Sequence, residues 1–405
     1  MSLAKLLSAC PTLPRAWLPW AAALAVAAGL GLASGQWGWA TAAGVALGYV
    51  GTRLVSCRGR VAPGAARPAG AARPGASSPE PDPEDEDQFI GRMIQQGRAA
   101  VLLHPQLRQD LPPQWVQSAT EALHRRMARL GPGVVVPGRS GNITLPLEEA
   151  DPGDPEDPIR WEQVDRFYLD RWVVTNQEYL AFVQDGGYED PALWNPEIAS
   201  LVPDFVDSTG APGPRFWKNG CFLPGEEELP VVGVNWYEAL AYARWAGKTL
   251  PTAAQWELAA ARPVAVGAAT LCQRRYPWGD AFQRERANVW HPGERKLLAA
   301  RAIEPVPRGS GIYQLIGNVW EWTLDDFLPP DAAGEVPTMK QLRGGAYDTY
   351  FESQATAQFQ SGQAPLDRKH NVGFRCVVAA ALVEGPAGGE EALVSASASG
   401  SEVSP

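Results

Sequence analysis

Two long apolar stretches open the chain, Ala16 to Ser34 and Trp37 to Val55, broken by little more than Pro19 and the Gly35-Gln36 connection. Each runs about 19 residues, or about 28 Å of helix, enough for a hydrocarbon core of about 30 Å. Lys5 and Arg15 lie before the first stretch, Arg53, Arg58 and Arg60 close the second, and the connection between them is uncharged. Basic outer ends predict a transmembrane helical hairpin over residues 1–58, with both termini and the main domain on the cytoplasmic side of the membrane. Trp17, Trp20, Trp37 and Trp39 fall at the interfaces such a hairpin defines. A cleaved signal peptide ending near Ala33-Ser34 also accounts for the first stretch, but leaves the second unexplained.

The pattern then changes four times. Residues 59–87 hold Pro-Gly-Ala-Ala-Arg near-repeats and an acidic run (Asp82, Glu84, Asp85, Glu86, Asp87), which read as a disordered, solvated linker. Residues 88–130 carry helical periodicity: Phe89, Ile90, Met93, Ile94, Ala100 and Val101 form one stripe that stops before Pro105. Pro113 opens a second helix lined by Trp115, Val116, Ala119, Leu123 and Met127, with Arg125, Arg126 and Arg129 toward its end as a solvated helix terminus. From residue 131 to about 380, short apolar runs alternate with Gly/Pro turns. Only three helices are predicted there, over Asn176–Val183, Trp236–Ala246 and Ala253–Ala260, the last with Thr252 as N-cap. That mixture predicts a loop-rich α+β domain. Residues 381–405, rich in Ala, Gly, Ser and Glu, read as a disordered tail.

The 41 glycines and 37 prolines among 405 residues exclude an all-helical bundle, and a formal charge of −10 argues against nucleic-acid binding. The 16 tryptophans require a core, a pocket or a membrane interface to hold them. Cys10, Cys57, Cys221, Cys272 and Cys376 are odd in number and far apart, without a CxxC or Cys/His cluster, which points to free thiols in a reducing compartment.

Between Phe167 and Cys376 a series of motifs follows in order: Phe167-Tyr-Leu-Asp-Arg-Trp-Val-Val-Thr-Asn-Gln-Glu-Tyr179, Pro230-Val-Val-Gly-Val-Asn-Trp236, Tyr242-Ala-Arg-Trp-Ala-Gly-Lys-Thr-Leu-Pro-Thr252, Trp256-Glu257, Tyr276-Pro-Trp-Gly-Asp280, Gly317-Asn-Val-Trp-Glu-Trp322, Arg343-Gly-Gly345 and Gly373-Phe-Arg375. Together they resemble the formylglycine-generating enzyme (sulfatase-modifying factor) family over about 210 residues. The resemblance implies a variant of the C-type-lectin fold. Read physically, the Trp-Ala-Gly and Gly-Gly pairs let backbone pass close to large rings. Asp170, Glu257, Glu321 and Arg375 are charges set in apolar text, which must be buried and paired because a lone buried charge costs several kcal/mol.

The resemblance also sets expectations about chemistry. In the authentic oxidase a Gly-Gly-Ser is followed by two cysteines that bind copper(I), a soft ion suited to thiolates. Here Gly344-Gly345-Ala346 is followed by Thr349 and Gln354 at or near those places, so copper chemistry and catalytic residues are not expected. Cys376, after Gly373-Phe374-Arg375, matches a structural cysteine whose partner in some members stands where this chain has Ala243. Other members use non-haem iron held by histidines of a helical domain; His104, His124, His291 and His370 show no such spacing, and iron is not expected either. The resemblance implies two calcium sites of structural type: Asn288 and Val289 for one, and Gln314, Gly317, Val319 and Glu321 for the other. Acidic residues common in the family at Ala253 and Gln255 are replaced here.

The expected function is therefore that of a membrane-anchored, non-catalytic module, a pseudoenzyme that binds a protein partner or helps assemble a membrane complex. The alternative is a metal-dependent oxidase or oxygenase using iron or copper. The presenting surface is expected on the loop from Ala346 to Asn371, with Tyr347, Asp348, Tyr350, Phe351 and Phe359 as contacts. The same stretch lacks the asparagine-rich look of diversity-generating ligand binders of this fold.

Overall fold

The computed structural model describes residues 83–144, 161–266, 270–290, 295–306, 309–328 and 338–384. The two apolar N-terminal stretches lie outside them; among the described residues no helix is long and apolar enough to cross a membrane. The chain divides into two compact units at Gln95/Gln96. Of the first, helix α1 (Pro83–Gln95) is described, with the Arg92 guanidinium 5.7 Å from the centre of the Phe89 ring. The stripe expected to run unbroken from Phe89 to Val101 stops at Gln95, and Gly97 takes a left-handed φ of 77° before α2 (Ala99–Leu103) begins.

The second unit opens with α2, α3 (Pro105–Arg108) and α4 (Pro113–Arg126), where proline starts the last two helices at the position that needs no N–H. Helix α4 runs directly into β1 (Met127–Leu130), which pairs antiparallel with β5 (Phe167–Asp170). Strand β12 (Val377–Ala379) covers the other edge of β5, so residues more than 200 apart in sequence close one sheet. A second sheet has the order β10 (Ser361–Gln363), β9 (Met339–Arg343), β8 (Trp320–Phe327), β11 (Val372–Gly373), with only the β8–β11 pair parallel. Strands β2 (Gly133–Val135) and β4 (Glu162–Val164) pair alone, and β7 (Thr270–Gln273) lies between β3 (Gly141–Thr144) and β6 (Val264–Ala265).

Three helices carry the same entry device. Helices α5 (Asn176–Gln184), α6 (Trp236–Trp245) and α7 (Ala253–Ala261) each begin with a reciprocal capping box: Thr175 with Glu178, Asn235 with Glu238, and Thr252 with Gln255. Each box satisfies two otherwise orphaned N–H groups, and each cap contributes about 1 kcal/mol. Gln255 Oε1 thus accepts from the Thr252 N–H, and Asp325 Oδ2 accepts from the Ala253 N–H.

Aromatic rings fill the space these helices enclose. Tyr179 stacks on Tyr242 at 5.4 Å and meets Phe182, Trp217 and Phe374 edge-on. Trp245, Trp256 and Trp322 are also fully buried, which accounts for part of the tryptophan surplus. With so few ladders, long side chains satisfy backbone groups instead. Arg98 is one: its Nε donates to Trp245 O at 3.0 Å, its guanidinium lies over the Trp245 ring, and it pairs with Asp185, tying α2 to the end of α6.

The glycine expectation holds at Gly344, where a Cβ would come within 3.2 Å of the Trp256 ring and 2.8 Å of Leu315 O. At Gly247 it is corrected. The close neighbour there is no ring: it is Val101, whose backbone N would sit 2.8 Å from an added Cβ. The need for glycine in the Trp-Ala-Gly turn therefore comes from the docking of α2.

Candidate functional site

Four buried ion pairs build the frame of the site, and each of the four charges singled out from sequence belongs to one of three of them. Asp170, wholly buried, accepts from Lys248 Nζ at 2.9 Å, Arg126 Nη2 at 3.3 Å and the Cys376 N–H at 3.0 Å. Glu257 pairs with Arg343 and accepts from the Gly138 N–H. Glu321 takes a two-pronged contact from Arg375, Nε and Nη2 each at 2.7 Å, and a third bond from Trp256 Nε1 at 2.8 Å. Arg375 spends its other donors on the carbonyls of Asp170, Arg171 and Tyr313. The fourth pair, Glu238 with Arg368, went unread in the sequence: its glutamate is also a helix cap, and only the fold brings Arg368 to it. Burial pushes the Glu238 and Glu257 carboxyls above their ordinary value in spite of these arginines.

The arginines near the end of α4 are likewise more than a solvated terminus. Arg126 pairs with Asp170 and Glu178 and lies 4.3 Å over Trp172, while Arg129, already in β1, pairs with Glu384. Arg125 alone of the three is exposed without such a partner among the described residues.

The loop after Gly344-Gly345 runs across the end of this frame. Thr349 is buried; its Oγ1 accepts from the Ala346 N–H at 2.8 Å and its carbonyl accepts from the Trp290 N–H at 3.0 Å. Gln354 is half-buried and its N–H donates to Phe351 O. A hydroxyl committed to a turn and an amide stand where the resemblance places two thiolates, and neither is a soft ligand. The described cysteines, Cys221, Cys272 and Cys376, are all free. Burial pushes the Cys376 thiol well above its ordinary value, and the Asp170 carboxylate adds to the shift, so the sulfur is held protonated and inert.

The five contact residues on this loop are of three kinds. Tyr350 and Phe351 are 67% and 60% exposed and meet edge-to-face at 5.1 Å. Tyr347 is half-buried against His370, and Asp348 accepts from Asn371 Nδ2 and faces His370 Nε2 at 3.5 Å. Phe359 packs on Trp320, half-buried, at 6.0 Å. Tyr350 and Phe351 are thus presented, and the other three are engaged in holding the loop.

Asn318, missed in the sequence reading, is the hub of this region. It is buried, with a left-handed φ of 70°, and binds three segments. Its Oδ1 accepts from Asn288 Nδ2 and the Leu298 N–H, its Nδ2 donates to Leu298 O, and its carbonyl accepts from the Tyr347 N–H. The signal was present in the Gly-Asn pair of the Gly317-Asn-Val-Trp-Glu-Trp322 motif, since asparagine tolerates left-handed backbone.

The two proposed calcium sets meet at this hub, because Asn288 and Gly317 are bridged backbone to backbone. In the first set, the Asn288 side chain is tied to Asn318 Oδ1 and Lys296 O, and the Val289 N–H donates to Ala287 O. In the second, the Gly317 carbonyl accepts from the Val319 N–H, Val319 is buried, and Glu321 is neutralised by Arg375. Gln314 differs: its Nε2 donates to Ala299 O, while its buried Oε1 has no partner. An orphaned buried acceptor of this kind fits a hard cation, so the second set suits calcium better than the first. Among the described residues no group of three or more His, Cys, Asp or Glu is placed to share a metal. His124 stacks on Tyr168 at 5.7 Å, and half-buried His104 lies between α2 and α3, where burial lowers its pKa.

A loop-rich α+β domain braced by buried ion pairs and capped helices, with a long loop crossing its Gly-Gly turn, is the class this geometry defines. The chain belongs to the formylglycine-generating enzyme family: residues 119–380 match the model of the sulfatase-modifying factor enzyme 1-like domain. It is 32% identical over 312 residues to the formylglycine-generating enzyme of Streptomyces coelicolor, covering 64% of this chain and 96% of that one. It is 31% identical over 290 residues to the inactive C-alpha-formylglycine-generating enzyme 2 of Bos taurus, covering 63% and 92%. It is 36% identical over 212 residues to the hercynine oxygenase of Mycolicibacterium smegmatis, covering 49% of this chain and 46% of that protein. Active enzymes and an inactive form thus stand among its relatives.

Proposed function

We propose that this protein is a catalytically silent member of its family that works as a binding module, tethered to a membrane by its N-terminal apolar stretches and facing the cytoplasm. One observation supports this reading: the oxygen of Thr349, which with Gln354 stands at or near where the resemblance places the two thiolates, is already used inside the loop. The fold and the Gly-Gly turn remain, while the donors for copper(I) do not. What the loop offers instead is a rigid base with two exposed aromatics, a surface suited to a protein partner. A structural calcium ion on the unpartnered Gln314 Oε1 would brace the turn beneath that loop.

The test is direct. Full-length protein purified from membranes is loaded with copper(I), given a cysteine-containing peptide and oxygen, and followed for peptide oxidation and oxygen uptake. The expected result is no turnover above a protein-free control. Turnover, or stoichiometric copper that survives dialysis, would refute the reading. Similarity to a hercynine oxygenase motivates the second reading, a non-haem iron oxygenase, and iron at one equivalent per chain in the same preparation would favour it. Alkaline extraction and protease protection of membranes test the tether and its orientation.

A further inference from the structure

The loops around Asn318 also carry a cation that the module reading has not used. Arg295 is exposed, its guanidinium lies 3.8 Å from the centre of the Trp290 ring, and among the described residues its N–H groups have no polar partner. A guanidinium held over an indole face by cation–π attraction still has N–H donors free for a carboxylate. The Trp290 ring meets Tyr350 at 5.9 Å, and Tyr350 meets Phe351, so cation and exposed aromatics form one continuous patch.

The patch is also held in place. The Trp290 N–H is bonded to Thr349 O, the Leu298 N–H and Asn288 Nδ2 to Asn318 Oδ1, and the Tyr347 N–H to Asn318 O. All three segments that supply it therefore hang on one buried asparagine, and little ordering cost remains for binding. Tyr350 and Phe351 stand at 88° to each other, which offers no common flat face for a sugar ring but does leave a corner for a side chain. Lys296, exposed beside Arg295, adds local positive charge in a molecule whose overall formal charge is −10.

We propose that Arg295, Trp290, Tyr350 and Phe351 form a recognition site for an acidic peptide segment of a protein partner, one that sets a carboxylate next to an aromatic or aliphatic side chain. This rests on the module reading and names its ligand class. The carboxylate bridges the free guanidinium edge, and the neighbouring apolar side chain packs in the Tyr350–Phe351 corner.

The experiment screens detergent-solubilised full-length protein against a displayed library of random heptapeptides. Bound peptides are expected to be enriched about tenfold in Asp or Glu adjacent to an aromatic or aliphatic residue, the factor that one charge-assisted contact supplies. Arg295→Glu is expected to reverse the charge preference toward Lys and Arg. Tyr350→Ser with Phe351→Ser is expected to remove the apolar preference and keep the acidic one. Failure to enrich any class, enrichment of basic peptides by the parent, or phosphatidylserine vesicles captured in place of peptides would overturn the proposal. Acidic peptides selected equally by the parent and by Arg295→Glu would overturn the site while leaving the module reading standing. Oxidation of a cysteine peptide would remove that reading itself.

Discussion

Glu321→Leu tests the structural role of one of the wholly buried carboxylates of the domain. In the parent, Arg375 reaches Glu321 through Nε and Nη2, both at 2.7 Å, and both side chains are buried. Leucine removes the counter-charge and leaves Arg375 with only the carbonyls of Asp170, Arg171 and Tyr313. Stranding a buried guanidinium costs about 3–5 kcal/mol. Trp256 Nε1 loses its acceptor as well, and an orphaned buried donor costs about 1–3 kcal/mol, partly overlapping the first loss. At about 2–4 °C per kcal/mol for a domain of this size, melting should fall by on the order of 10 °C. The assay is thermal and urea unfolding of the full-length protein followed by tryptophan fluorescence, for Glu321→Leu, Arg375→Leu and the double variant. The double variant should cost less than the sum of the singles by about 2–3 kcal/mol, since neither partner is left charged and alone. Glu321→Leu within about 1 kcal/mol of the parent, or strict additivity, would refute the reasoning.

Three further outcomes follow from particular contacts. Gly247→Ala should destabilise by at least about 2 kcal/mol, because φ is 71° and the new methyl meets Val101 Cγ2 at 2.6 Å and its backbone N at 2.8 Å. Adding Val101→Ala should recover only part of that loss, and full recovery in urea melts would show that the backbone contact is unimportant. The Arg129 hydrogen bonds, helped by Tyr168, hold the Glu384 carboxyl below its ordinary value, so its stabilisation is fully present above about pH 4.5 and is lost as pH falls through the lowered value. This half-exposed pair contributes at most about 1 kcal/mol, and the stability gap between parent and Glu384→Gln should shrink from pH 6 to pH 3; a gap that widens would reverse the sign. Millimolar calcium should raise the melting temperature, by about 2.7 kcal/mol of stabilisation at a hundredfold excess over the dissociation constant. Gln314→Met should abolish that response while costing about 1 kcal/mol of calcium-free stability through the lost Nε2–Ala299 O bond, and an identical melt of the parent with calcium and with chelator would exclude the site.

Much of the scaffold was legible before any coordinates. Thr252 announces its helix because a cap acts on N–H groups two or three residues away, and such short-range bonds leave a local pattern; Thr175 and Asn235, not read as caps in the sequence, carry the same pattern. The buried state of Asp170, Glu257, Glu321 and Arg375 was readable for a similar reason: charge within apolar text has to be compensated. The ordered series of motifs fixed the family, and Thr349 and Gln354 carry no sulfur in any fold.

The partners of those charges were decided only by the tertiary structure. Arg375 meets Glu321 across 54 residues and Arg368 meets Glu238 across 130, distances over which no periodicity speaks. The same holds for Gly247, whose demand comes from Val101 on a helix far back in the chain, and for Asn318, whose bonds gather three loops. Sequence also grouped Tyr347, Asp348, Tyr350, Phe351 and Phe359 as one surface. Their different roles appear only when His370, Asn371 and Trp320 fold against three of them and leave Tyr350 and Phe351 outside. Local hydrogen bonding writes itself into neighbouring residues, whereas exposure and long-range pairing are properties of the closed chain.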